Sequence, residues 1–496
     1  MQLSDTRALG LLAIVSCWPF ASFVENNATQ LTLSDVGVVA LLWTALLAAA
    51  CTLAWISARL FRVPMLLSAV PVAGAAVVFM LYGAVLDDTH SVAAYIVLAA
   101  VVVTALAVAV RREALHRPLI VFALIASLSP FALLALHLAK HYPRDEPQAV
   151  PHPVWAQPVK IRPNVLHVIV DGYAHSATLA ALAGLDNSGF ERELEKRGFV
   201  VVEKAASNYP TTYLSLAATL SMDYVALPET PYKDRQKFYG VIGGAGAAVA
   251  GFRRAGYAYL HSGSGWGAAW CSGREDLCLN RDNELRDRLG EAGFKVVRMT
   301  PLRAWAGGEE VLAKRGGIES IQHSLDSMYL RQPFYAFAHS LPPHPPWFAR
   351  ADCAERKPVG ALHQWPDPGA YREAVLCVNR KLVQMVDAVV SRDPDALIVL
   401  QADHGSGFNA RMFAVPLDQW SRPMVEERFR TFLAIRAPSS CRQWIQPDLT
   451  GVNVLRLVAG CLQQRTPDYL PNRFFAAAYD FGEEFGKVAE LRQPPW

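Results

Sequence analysis

The first 141 residues are laid out as five apolar runs separated by short polar breaks, at 8–24, 36–58, 64–86, 92–110 and 118–139. Each is near the roughly 20 residues a helix needs to cross a bilayer. The breaks are sorted by charge. Arg7, Arg59, Arg62, Arg111, Arg112 and Arg117 fall on one side, and Glu25, Asp35, Asp87 and Asp88 on the other. Basic loops stay cytoplasmic, so an odd number of spans puts the chain beyond residue 139 outside the membrane. A cleaved signal peptide in place of the first run would leave four helices and the same external region. Buried helices of a soluble protein have no reason to sort their flanking charges in this way.

Between 142 and 163 the pattern lapses. Pro143, Pro147, Pro151, Pro153, Pro158 and Pro163 punctuate a linker around Trp155. From Asn164 apolar runs alternate with amphipathic ones. Residues 165–170 are apolar and mostly β-branched, broken only by His167, as a buried parallel strand should be. Segments 199–202, 334–338 and 396–401 read the same way, with helices expected at 190–197 and 371–391. The pattern predicts a transmembrane domain at 1–141, a linker at 142–163, an α/β domain at 164–440 and its C-terminal part at 441–496. Its sheet should be mainly parallel and covered by helices on both faces.

Composition sharpens this division. Residues 1–141 hold 13 of the 91 Asp, Glu, Lys and Arg, and mean hydropathy over the chain is +0.18. A wholly soluble protein and a disordered one are both excluded. Net charge is only +3 and no basic run stands out, which gives nucleic-acid binding no electrostatic support. Cys17 and Cys51 lie in apolar runs. The other six cysteines are near neighbours in pairs, Cys271 with Cys278, Cys353 with Cys377 and Cys441 with Cys461. Local pairing is the simplest of their 15 connectivities and suits an oxidising compartment.

Ligands collect at the carboxyl ends of strands in such folds, and four polar clusters fall there. Asp171-Gly172 follows the first strand; the same dipeptide is also ordinary turn chemistry. Asp403-His404-Gly405 follows 396–401, where a carboxylate and an imidazole can reach one metal ion. Asn208 to Ser215 precedes an Ala- and Leu-rich helix, and its threonine hydroxyls can be an N-cap or a nucleophile at an anion-binding helix terminus. His339 and His344 flank two prolines and can bind phosphate oxygens or protonate a leaving group. His261 and Trp266, in a glycine-rich loop, are candidates for lining a head-group pocket.

The order of these motifs behind a membrane anchor resembles the alkaline phosphatase and sulfatase superfamily, in the branch of lipoteichoic acid synthases and phosphoethanolamine transferases. The resemblance implies metal ligands at Asp171, Thr212, Asp403 and His404. It also implies Thr212, three residues before Ser215, as nucleophile, and His339 and His344 as catalytic or substrate-binding residues. Three oxygens and one imidazole suit one divalent ion, Zn²⁺ or Mn²⁺. The implied reaction moves a phospho-head group from a membrane lipid to an envelope glycan or lipid, at the outer face of the bacterial inner membrane. Alternatives are a sulfuric- or phosphoric-ester hydrolase of the same superfamily and a non-catalytic membrane scaffold or sensor. The chain departs from the phosphoethanolamine branch where Ser406 follows Asp-His-Gly and where no histidine follows His404.

The charge sorting sets a direct test. A reporter active only in the cytoplasm, fused after Trp496, should be inactive, and strong reporter activity would overturn the external placement.

Overall fold

The computed structural model describes residues 3–27, 33–89, 91–112, 152–232, 235–264, 269, 271–279, 284–306, 317–360, 364–409, 415–478 and 485–496, with scattered positions between 114 and 135. The chain forms two compact units. One comprises Met1–Asp145 with Asp282–Gly308, the other Glu146–Arg281 with Glu309–Trp496.

The first unit is helical. Among the described residues, three segments are long and apolar enough to cross a membrane: Ala8–Asn26 in α1 (Leu3–Asn26), Asp35–Phe61 in α2 (Leu33–Phe61) and Val92–Ala109, which is the whole of α5. Between them the apolar run at 64–86 folds as two helices, α3 (Met65–Met80) and α4 (Tyr82–Thr89). At this break the Gly83 amide donates to the Met299 carbonyl at 2.9 Å instead of continuing the helical ladder. Of the run expected at 118–139 only scattered positions are described, and most of the linker before residue 152 lies outside the described residues. Small side chains at Ala8, Ala50, Ala54, Ala69 and Ala73 are buried together, so the backbones approach closely where the hydrophobic effect has no purchase. No residue of α5 is buried, as a helix facing lipid requires.

The second unit is built on a seven-stranded sheet. Its strands are β1 (Val165–Val170), β2 (Phe199–Val201), β3 (Ala258–Ser262), β4 (Leu277–Cys278), β5 (Phe334–Ser340), β8 (Leu397–Ala402) and β9 (Leu433–Arg436). Two small ribbons, β6 (Trp347–Ala349) with β7 (Glu355–Val359) and β10 (Phe475–Ala477) with β11 (Val488–Glu490), lie apart from it. The order across the sheet is β2-β9-β8-β1-β5-β3-β4. Pairing is parallel from β8 to β4, and β9 is antiparallel to both its neighbours. Strands β3, β4 and β9 go beyond the sequence expectation.

Strand alternation divides the side chains into two cores. Val165, Ile169, Tyr335, Phe337, Leu397 and Val399 face the helices Thr212–Ser221 and Gly451–Gln463. Leu166, Val168, Val170, Ala336, Ile398 and Leu400 face the helix Pro368–Arg392. A sheet covered on both faces explains why its central strands read as continuous apolar runs.

Disulfides join Cys271 to Cys278, Cys353 to Cys377 and Cys441 to Cys461. The last pins the buried helix Gly451–Gln463 to the segment after β9. Cys461→Ser should therefore lower unfolding stability by about 2–5 kcal/mol, read from denaturant midpoints under non-reducing conditions. An unchanged midpoint would mean that the bridge does not form.

Candidate metal and nucleophile site

Strand register creates the site. Val170 aligns with Ser340 on one side and Ala402 on the other. The next residues along β1 and β8, Asp171 and Asp403, therefore leave the sheet side by side. The Asp171 amide donates to the Ser340 carbonyl at 2.9 Å. Gly172 turns the chain away at φ +68°, a conformation glycine adopts without strain. The Gly172 and His404 amides then donate to the same oxygen, Asp403 Oδ1, at 3.0 and 2.9 Å.

The nucleophile candidate comes from a different element. Thr212 opens the helix Thr212–Ser221, with Thr211 as the extended residue before it. One turn on, Ser215 donates its hydroxyl to the Asp403 carbonyl at 2.5 Å. The three-residue spacing from Thr212 to Ser215 thus fixes the helix terminus against the metal-ligand candidates.

His404 is the point of convergence. Its Nδ1–H donates to the Gly405 carbonyl at 2.9 Å. This selects the tautomer with a lone pair on Nε2. Thr212 Oγ1 lies 3.1 Å from that nitrogen, Asp171 Oδ1 3.3 Å and Asp403 Oδ2 3.4 Å. Neighbouring ligands of a tetrahedral ion with bonds of about 2.0–2.1 Å stand roughly 3.3–3.4 Å apart. Asp171 Oδ1 and Asp403 Oδ2 are buried without any hydrogen-bond partner. Two bare carboxylate oxygens away from water are costly unless a cation meets them. The donor set therefore fits one divalent ion.

Electrostatics agree. Burial, and then the neighbouring Asp403, push the Asp171 carboxyl well above its usual range. Burial pushes Asp403 up to about 6. Burial first, then the charge of Arg428, hold His404 well below the usual imidazole range, so it is a neutral donor. Burial thus disfavours the charged form of all three groups, the two carboxyls and the imidazole alike.

The other sequence candidates sit at different distances. His339, on β5, is fully buried. Its Nε2 lies 3.6 Å from Asp171 Oδ2 and its Nδ1 shares a hydrogen bond with Ser264 Oγ at 2.7 Å. Burial lowers it to about 3. Together with Asp171 and Asp403 it forms a compact buried group. His344 is half-buried at the rim, its Nδ1–H donating to the Pro345 carbonyl at 2.7 Å and its ring 6.0 Å from that of His404. His261 lies on β3, beyond β5, with Nδ1 bonded to the Tyr259 hydroxyl at 3.0 Å and Nε2 buried with no hydrogen-bond partner. Trp266 lies outside the described residues.

Two residues went unrecognised in the sequence. Arg428 is buried, donating Nε to the Pro210 carbonyl at 2.6 Å and Nη1 to the Gly405 carbonyl at 3.2 Å. It ties the segment before Thr212 to the segment after His404. Trp365 packs beside the His344 ring at 5.2 Å and over Gly172. Neither stands in a motif, and both reach the site from distant elements. Gly405 is needed for a close approach, because a Cβ there would fall 2.0 Å from the Glu427 carbonyl.

A scan against protein-family models and a search of curated proteins both give no match. Solved structures are similar in fold. The integral membrane protein lipooligosaccharide phosphoethanolamine transferase A from Neisseria meningitidis is 12% identical, with 92% of this chain and 95% of that chain covered and a TM-score of 0.41. The C-terminal periplasmic domain of EptC from Escherichia coli, in complex with Zn, is 10% identical, with 67% and 96% covered and a TM-score of 0.42. The corresponding domain of phosphoethanolamine transferase EptC from Campylobacter jejuni is 11% identical, with 60% and 89% covered and a TM-score of 0.39. At such identities and scores the likeness says nothing of its substrate.

The proton bookkeeping gives a metal test. Asp403 is raised from an ordinary 3.8 to about 6, so the apo fold loses stability as pH rises through that window. His404 is depressed, so the apo fold also loses stability as pH falls below the ordinary imidazole value. Deprotonated ligands favour the ion, so the rise in Tm on adding Zn²⁺ or Mn²⁺ should grow from about pH 5 to about pH 7. A pH-independent rise, or one undiminished in D403N at the same metal concentration, would place the ion elsewhere.

Proposed function

We propose that the protein is a metal-dependent phosphotransferase or phosphodiesterase of the sulfatase superfamily, acting at the outer face of the bacterial inner membrane. The single observation that supports this best is the meeting of Thr212 Oγ1, Asp171 Oδ1 and Asp403 Oδ2 within 3.1–3.4 Å of His404 Nε2. A structural threonine cap needs no such company. Here Thr211 is the cap residue and makes no side-chain capping bond.

A divalent cation on Asp171, Thr212, Asp403 and His404, Zn²⁺ or Mn²⁺ by donor chemistry, would lower the Thr212 hydroxyl pKa and offset charge on a phosphoryl oxygen. Thr212 gives up its proton to solvent and Oγ1 attacks phosphorus. The helix N-terminus it opens favours the anionic group. As the Oγ1–P bond forms, the bond from phosphorus to the lipid alkoxide breaks, and His344, having taken a proton from solvent on Nε2, passes it to that alkoxide. His339 steadies the second oxygen of Asp171. The phosphorylated Thr212 then yields its group to an envelope glycan, a lipid or water. Phosphate is favoured over sulfate esters because Thr212 cannot mature to the formylglycine that sulfatases use.

Thr212→Ala should abolish turnover of a lipid phosphodiester while the protein stays folded. Thr211→Ala should be much milder, since its hydroxyl caps nothing. Asp403→Asn should fail through weakened metal binding and recover in part with excess metal, whereas Thr212→Ala should not. Mass spectrometry of trapped enzyme should find phosphate on Thr212. Activity in Thr212→Ala would end the covalent mechanism.

A further inference from the structure

One part of the sheet unit's sequence does not fold with it. Asp282–Gly308 belongs to the helical unit, although the chain on both sides belongs to the other. Within this stretch lie the helices Glu284–Arg298 and Arg303–Ala306. Ala292 and Val296 are buried among Phe20, Phe23, Val24, Val39 and Met80. A Cβ on Gly293 would lie 2.6 Å from Val38 Cγ1. The Met299 carbonyl receives the Gly83 amide at 2.9 Å.

These partners lie at one level. Phe20 to Val24 end α1, Val38 and Val39 begin the apolar part of α2, and Gly83 is near the close of the apolar run at 64–86. The charge sorting places that end of all three outside. At 1.5 Å per residue, Val39 is only about 6 Å along the helix from Asp35. The stretch thus sits at the depth where lipid head groups meet acyl chains.

The chain then presents apolar surface outward. Leu302 is 42% exposed and Trp305 88%. Other exposed apolar side chains of this unit, such as Leu41, Val97 and Val101, belong to helices long and apolar enough to span a membrane, whereas Leu302 and Trp305 do not. Lys295, Arg298 and Arg303 stand in the same stretch. An exposed indole with adjacent leucine and basic residues at this depth matches the composition of interfacial anchors.

We infer that Leu302–Trp305 is a membrane-interface anchor, with Trp305 seated in the outer-leaflet head-group layer. It holds a chain segment next to β4 on the membrane by a contact separate from the N-terminal spans. The inference is independent of the chemistry at Thr212.

The test uses the full chain with Cys17 and Cys51 replaced by Ala, in phosphatidylethanolamine–phosphatidylglycerol vesicles. A nitroxide is attached in a W305C variant. The same label in an L330C variant is the aqueous reference, because Leu330 is 87% exposed in the other unit. The ratio of accessibility to oxygen over a water-soluble nickel chelate should be several-fold higher at 305 than at 330. Equal ratios would overturn the anchor. Exclusion of both reagents from 305 would overturn it too, showing that protein rather than lipid covers the site. Retention of the three disulfides and of Tm confirms folding of both variants.

Discussion

Two carboxylate oxygens that water cannot reach and that no protein donor meets set the terms for the sheet unit. Asp171 Oδ1 and Asp403 Oδ2 stand bare around His404 Nε2, with the Thr212 hydroxyl completing the ring. Such an arrangement is unfavourable in isolation, because burial penalises the charged carboxylates and the nearest imidazole is held neutral. The rest of the fold supplies the rigidity that keeps it in place. Parallel register between β1 and β8 sets the two aspartates, and Ser215 sets Thr212 against them.

The supports are mostly backbone-directed. Arg428 spends its buried guanidinium on the Pro210 and Gly405 carbonyls, and Gly405 in turn accepts from His404 Nδ1. Ser406 donates to Glu427, whose carboxylate also receives the Phe408 amide. The loop after β8 is therefore fixed by the helix Arg422–Phe429 rather than by its own residues.

The helical unit follows a different logic. Its helices meet through alanines because apolar side chains gain nothing by leaving lipid for protein. A segment from the middle of the chain, Asp282–Gly308, belongs to this unit as well. The chain thus passes between units three times, and the sheet unit is tied to the membrane unit by more than one connection.

What the sequence by itself determined is whatever rests on local pattern. Apolar run length and arginine sorting marked candidate membrane segments; apolar runs marked β1, β5 and β8; short motifs after β1 and β8 and at a helix start singled out Asp171, Asp403, His404 and Thr212 as candidates. Local cysteine spacing anticipated the three bridges. Strand β3 was not legible, because Tyr259, His261 and Ser262 interrupt its apolar run, and β9 is only four residues long. The separate placements of His339 against Asp171 and of His344 at the rim, the reach of Arg428, and the docking of Glu284–Arg298 on the membrane helices were settled by tertiary structure alone. Each depends on a partner far away in sequence, and a charged amphipathic helix carries no mark of which apolar surface will receive it.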